Sequence, residues 1–142
     1  MRTLFGLALA ATVALSPFAL PADANARVHL SRTGSFETGM FDESAAEICA
    51  YAKDEKKIFF VDGSNGTIGI LDVSDITKPT KVGSFDLSPY GKGANSVAYA
   101  GGLVAVAVQA NDKQANGSLV LLDPSGGFVA EYPAGALPDM VT

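Results

Sequence analysis

Tryptophan is absent, and histidine and cysteine occur once each, as His29 and Cys49. A single thiol closes no internal disulfide, and one His with one Cys cannot assemble the common structural zinc sets, which need four such ligands. Basic residues are also scarce: 10 Lys and Arg face 15 Asp and Glu over 142 residues, a net charge of −5 with a pI near 4.6. Binding to phosphates through counterion release needs clustered Lys and Arg, so nucleic acid is excluded as a partner. No phosphate-cradling glycine loop, nucleophile elbow or paired-His motif occurs. What remains is a chain of one small domain at most, rich in glycine, with 15 residues of that type.

The first 26 residues differ in kind from the rest. Met1-Arg2 gives a positive start, Leu4 to Leu15 is apolar, and Ala24-Asn25-Ala26 is a small-x-small site. This is the pattern a signal peptidase reads, and cleavage is expected after Ala26. The apolar run is shorter than the roughly 20 residues that span hydrocarbon, and Pro17 and Pro21 interrupt it. Removal takes one charge of each sign, Arg2 and Asp23, so the net charge is unchanged. No second apolar segment of spanning length follows, and the mature chain, residues 27–142, is expected to be secreted or periplasmic.

Beyond residue 26, Gly, Asn and Asp separate short runs rich in Val, Ile, Leu, Phe and Tyr, which is the signature of strands and turns. Strands are expected over Glu47–Ala52, Lys57–Asp62, Thr67–Val73, Thr80–Leu87, Ser96–Ala100, Leu103–Gln109, Ser118–Asp123 and Phe128–Tyr132. Asp42 to Ala46 has room for one helical turn. The order repeats. Ala46 to Ala52 aligns with Ala94 to Ala100, and Gly66 to Asp72 aligns with Gly117 to Asp123, at separations of 48 and 51 residues. Four short strands per unit at such a period mark a β-propeller blade. Asn65-Gly66 and Asn116-Gly117 are expected at hairpin turns of type I′, which require positive φ.

Two fragments extend the pattern. Arg32 to Glu37 resembles Lys81 to Asp86, the fourth strand of the first full blade; Pro138 to Thr142 resembles Ala94 to Ala98, the opening strand of a blade. The expected fold is therefore all-β: two complete blades of four antiparallel strands, with a partial blade at either end. A ring needs about four to eight blades, so the reading is of an incomplete propeller domain, either the N-terminal part of a longer protein or a shortened gene product. Open blade edges and an unshared core face would favour self-association.

Several stretches carry a resemblance to a known family: Gly34 to Gly39, Phe41 to Ile48, Gly93 to Ala98, Gly102 to Ala107 and Gly135 to Thr142. In this order they resemble the choice-of-anchor I family, secreted bacterial propellers related to LVIVD-repeat proteins and to mesenchyme-specific cell surface glycoproteins. The resemblance implies a YVTN or WD40-like propeller, exported and often held at the cell surface by a variable C-terminal anchor.

Three residues fall at one repeat position, the start of the innermost strand of successive blades: Glu47, Asn95 and Asp139. Such positions ring one mouth of a propeller channel, where oxygen ligands from several blades can converge on a hard cation. They are the candidate ligand or ion site, with calcium as the candidate ion at Glu47 and Asp139; the competing reading is polar side chains that cap strand ends and face water. Glu43-Ser44-Ala45-Ala46 looks somewhat like the stretch around the serine nucleophile of alkaline phosphatases, but the His and Asp ligands of paired metal ions are missing. Asp62 to Gly66 is oxygen-rich but lacks the bidentate Glu of a calcium loop, and reads as a hairpin turn. Its Asn65-Gly66-Thr67 and the later Asn116-Gly117-Ser118 match the glycosylation sequon at positions already explained by turns. Cys49, between Ile48 and Ala50, reads as a small buried hydrophobe.

The functional expectation is an exported binding or cell-surface scaffold protein with no catalytic residues and no required cofactor. Its partner would be a protein, a polymer or a small ligand. The alternative is a metal-dependent hydrolase of phosphate esters or lactones with its site at the channel mouth, since a propeller fold alone does not settle function.

Overall fold

The computed structural model describes residues 28–142; the export segment and its cleavage site lie outside them. The unit over Arg32–Thr142 carries eight strands: β1 (Cys49–Ala52), β2 (Lys57–Asp62), β3 (Thr67–Asp72), β4 (Thr80–Asp86), β5 (Gly93–Ala100), β6 (Leu103–Gln109), β7 (Asn116–Leu122) and β8 (Phe128–Ala136). They form two antiparallel sheets of four, in the orders β1-β2-β3-β4 and β5-β6-β7-β8. Each sheet is an up-and-down meander of four short strands, which is the construction of a propeller blade. The Asp42–Ala46 stretch has no helical turn: Asp42 sits at φ 59° and Ala45 N–H bonds the Glu43 carbonyl at 2.8 Å.

Both faces of the first sheet are apolar, which explains why β2 and β3 read as nearly continuous hydrophobic runs rather than alternating ones. Phe59, Val61, Ile68 and Ile70 point one way, into a cluster shared with Val97, Val104, Val106, Val108, Val120 and Leu122 of the second sheet. Phe60 and Leu71 point the other way and pack with Val73, Ile58 and Phe36. The two sheets therefore stack face to face on one core, with Phe59 stacked on Tyr99 at 6.1 Å between ring centres. Tyr90 joins them at the rim, stacked between Phe85 of β4 and Phe128 of β8.

The turns differ from the sequence expectation. The β5–β6 connection is the two-residue loop Gly101–Gly102, and both glycines have positive φ, 57° and 79°. It is therefore here that the type I′ geometry occurs. Asn65-Gly66 instead closes a four-residue loop, Gly63–Gly66, in which only Gly66 has positive φ, at 63°. Asp62, 1% exposed, fixes that loop by accepting Asn65 N–H at 3.3 Å and the Asn65 amide at 3.0 Å, with Lys81 3.7 Å away. Asn116-Gly117 is not a turn at all but the start of β7, where the register shifts between Asn116 and Ser118. A side chain at Gly117 would collide with the Val108 carbonyl and with Pro138 Cδ 2.7 Å away, so this glycine serves close approach rather than chain reversal.

The two terminal fragments carry no ladder pairing, because a strand needs a neighbour along its edge and neither fragment has one among the described residues. They nevertheless lie against the sheets. The Phe36 ring is 6.1 Å from that of Phe60. Pro138 and Val141 return to β5, bonding the Asn95 amide at 2.9 Å and the Ser96 hydroxyl at 3.3 Å.

Candidate functional site

Glu47 lies at the entry of β1 and Asn95 near the start of β5, whereas Asp139 lies in the C-terminal segment, which forms no strand. Glu47 precedes β1 and is exposed; its N–H bonds the Val61 carbonyl at 3.2 Å, and Val61 N–H bonds the Ile48 carbonyl at 2.9 Å. These bonds continue the β1–β2 ladder beyond Cys49 and hold the Glu47 backbone at the sheet end. Asn95 is the extra residue of a bulge in β5, since the register passes from Ala94 opposite Val108 to Ser96 opposite Ala107. A bulge re-aims the side chain it carries. Here it turns the Asn95 amide onto the Pro138 carbonyl, which leaves only its side-chain oxygen for a ligand.

That bond brings Asn95 next to Asp139 through Pro138. Asp139 is exposed, and neither it nor Glu47 has an ion-pair or side-chain hydrogen-bond partner among the described residues. No three His, Cys, Asp or Glu side chains gather closely enough there to hold a metal ion. The arrangement is thus two solvent-facing carboxylates, one before β1 and one in the unpaired C-terminal segment, with an amide that ties down that segment.

Beside Glu47 lies a groove of about 690 Å³ between Phe36–Met40 and Glu43–Glu47. Its carboxylates, Glu37, Glu43 and Glu47, come from both arms of one loop. The sequence reading singled out only Glu47, because Glu37 and Glu43 lie outside the repeat that selected it. Ser44 in that loop is exposed, and its backbone carbonyl accepts Ser64 N–H at 2.8 Å; it pins the loop to the β2–β3 hairpin. The oxygen-rich Asp62–Gly66 segment turns its carboxylate inward to Asn65 and Lys81, away from any ligand.

Cys49 is exposed, contrary to the buried position expected for it. It sits on the far face of an edge strand, where no other sheet among the described residues covers it. The other polar signature is a series of turns in which an aspartate accepts the N–H two residues on. Asp72 and Asp123, equivalent in the repeat, do so with Ser74 at 2.8 Å and Ser125 at 2.7 Å. The Ser74 backbone bond holds the Asp72 carboxyl below the ordinary carboxylate value, and the Ser125 hydroxyl does the same for Asp123. Asp86 is lowered by Ser88 N–H, and Asp75 by the Thr77 hydroxyl. Tyr99 moves the other way: desolvation, then its 2.8 Å bond to Asp54 of the β1–β2 loop, push its phenol up to about 12.

Two consecutive four-stranded meanders stacked through an apolar core define a blade-type repeat domain. The family model for the choice-of-anchor I domain matches residues 47–142, well over half of the chain, and the chain belongs to that family. A choice-of-anchor domain implies an extracellular or surface-anchored protein. Comparison with curated proteins and with solved structures gives no match. No helix among the described residues is long and apolar enough to cross a membrane.

Proposed function

We propose that this chain is an exported, non-catalytic propeller-type domain that binds a partner outside the cell through the strand-entry mouth bearing Glu47, Asn95 and Asp139. The observation that carries the reading is the pair of exposed carboxylates, Glu47 before β1 and Asp139 beside Asn95, which have no side-chain partner among the described residues. Membership of the choice-of-anchor I family supports the extracellular setting, and the signal-peptide pattern of residues 1–26 supports export. Calcium is the proposed ion, with carboxylate oxygens as ligands and the Asn95 side-chain oxygen beside them. Nothing in the arrangement favours the hydrolase alternative: Ser44 is a loop anchor.

The test is thermal unfolding of the purified chain against calcium concentration. An ion that binds only the folded state stabilises it, by about 2.7 kcal/mol at a hundredfold excess over Kd. A rising midpoint that disappears in Glu47→Gln and Asp139→Asn supports the site. A midpoint indifferent to calcium refutes calcium binding at this mouth. Export is tested separately, by expressing the whole chain in a bacterium and determining the N-terminus of the product: Arg27 is expected, and an uncleaved cytoplasmic product overturns that part.

A further inference from the structure

The pair Asn-Gly occurs twice in the chain, and the fold treats the two copies differently. Asn116-Gly117 opens β7, where Gly117 is buried and lies against the Val108 carbonyl and Pro138. Asn65-Gly66 lies in the loop Gly63–Gly66, with Asn65 exposed. Gly66 has positive φ, 63°, and its N–H has no hydrogen-bond partner among the described residues.

That difference decides a reaction. A glycine nitrogen, unhindered for want of a side chain, can attack the Cγ of the asparagine before it. The Cγ–Nδ2 bond breaks, and ammonia leaves with the proton that the glycine nitrogen gives up, closing a five-membered imide. Water then opens the imide at either carbonyl, to leave Asp or isoAsp. The sum is one water consumed and one ammonia released, with no oxidant, metal or second protein. The step needs the side chain to fold onto the next backbone nitrogen, which a loop permits and a strand held in its ladder resists.

Asn65 is held by one neighbour. Its amide nitrogen donates to the two oxygens of Asp62 at 3.1 and 3.0 Å, and its backbone N–H donates to the first of them at 3.3 Å. Asp62 is 1% exposed, and a carboxylate so placed depends on these donors and on Lys81, 3.7 Å away. Conversion of Asn65 to Asp removes the amide donors and sets a second carboxylate against the first. The same loop anchors the mouth. Ser64 N–H bonds the Ser44 carbonyl at 2.8 Å, and Gly63 lies so near that a Cβ there would stand 2.8 Å from that oxygen.

We propose that Asn65 is a self-modifying site: it converts spontaneously to Asp or isoAsp, Asp62 slows the conversion by holding the amide, and conversion frees the Glu43–Glu47 segment from the β2–β3 hairpin. Asp62 thus acts twice, as a guard before the reaction and as a source of repulsion after it. Loss of ammonia makes the change one-way, and it requires nothing of the ligand at the mouth.

The experiment incubates the purified chain at mildly alkaline pH, folded and in parallel in urea, and follows tryptic peptides by mass. The peptide after Lys57 carries Asn65, and the one after Lys113 carries Asn116. In urea both should gain one mass unit at similar rates. In the folded chain Asn65 should convert only several-fold more slowly than in urea, and Asn116 more than about tenfold more slowly, because its strand must open first. Asp62→Ala should remove most of the delay at Asn65; Asp62→Thr replaces that variant should it unfold by circular dichroism. Asn65→Asp should lower the thermal midpoint and speed amide exchange at Ser64 several-fold, whereas Asn116→Asp, at an exposed side chain, should change neither. Asn65 that stays intact in the folded chain, or that converts no faster than Asn116, overturns the site. A folded Asp62 variant without acceleration overturns the guard, and unchanged Ser64 exchange in Asn65→Asp overturns the release.

Discussion

The directly paired residues Phe60 and Gly69 offer a strict test of how the two blades build the same sheet from different side chains. Phe60 is 4% exposed, and a Cβ at Gly69 would overlap its ring; the ring lies across the glycine. At the equivalent pair the second sheet has Val106 opposite Val120. One large and one null side chain in the first blade thus occupy the space of two medium ones in the second. Gly69→Val alone forces the buried ring aside, an overpacking that costs about 1–3 kcal/mol. Phe60→Val alone removes buried ring carbons and leaves a void, at about 2 kcal/mol, below the 3–5 kcal/mol of full truncation to alanine. The double variant restores the volume and should lie within about 1 kcal/mol of wild type, so the coupling in the cycle is about 2–5 kcal/mol. Urea unfolding followed by circular dichroism measures all four proteins, with each 2 kcal/mol expected to move the midpoint by about 1 M or more. Additive single costs would refute the reasoning, because they would mean that the ring and the glycine do not share one space.

Further outcomes follow from the same contacts. Asp72, Asp75, Asp86 and Asp123 have carboxyls held below the ordinary 3.8; the stability they contribute is present above that pH and is lost as pH falls through their folded values. Acid titration of the urea midpoint should show this loss, and Asp72→Asn with Asp123→Asn should make it shallower. Tyr99, raised to about 12, acts in the opposite sense: its contribution is present below pH 10 and is lost as pH rises from there through 12. Alkaline titration of phenolate absorbance should show one late tyrosine, absent in Tyr99→Phe, and that variant should unfold earlier through loss of the bond to Asp54. Gly117→Ala places a methyl against the Val108 carbonyl and Pro138. It should destabilise by about 1–3 kcal/mol and increase amide exchange at Val141, whose N–H bonds Ser96.

Where the sequence reading succeeded, the signal was local and the strand was central. β2 and β6, Lys57–Asp62 and Leu103–Gln109, coincide with the apolar runs that announce them, because their interiors are apolar on both faces and the polar residues Lys57, Asp62 and Gln109 fall only at their ends. Edge strands were less legible. β8 runs on to Ala136, beyond the expected end at Tyr132 and through Pro133; an outermost strand tolerates proline because one of its edges needs no donor. Asn-Gly is a strong hairpin cue, yet Gly117 is selected by close approach of Val108 and Pro138, both distant in sequence and invisible to a dipeptide rule. Cys49 looked buried because its neighbours are apolar, but on an edge strand burial depends on whether another sheet lies above it.

The candidate site was legible as a register and not as a geometry. The repeat aligns Glu47 with Asn95; in the structure the first precedes β1 and the second lies in the opening bulge of β5. It could not foresee the bulge that commits the Asn95 amide to Pro138, because a bulge arises from the twist between two strands rather than from the residue that occupies it. Nor could it reach Glu37 and Glu43, which join Glu47 around one groove only because the loop from Phe36 to Ala46 doubles back and Ser44 is tied to Ser64. Repeats specify what recurs, namely faces and rows; ligand sites reside in what does not recur. This is why the strands and their rows follow from the pattern itself, whereas the ligand at the mouth must be found by titration.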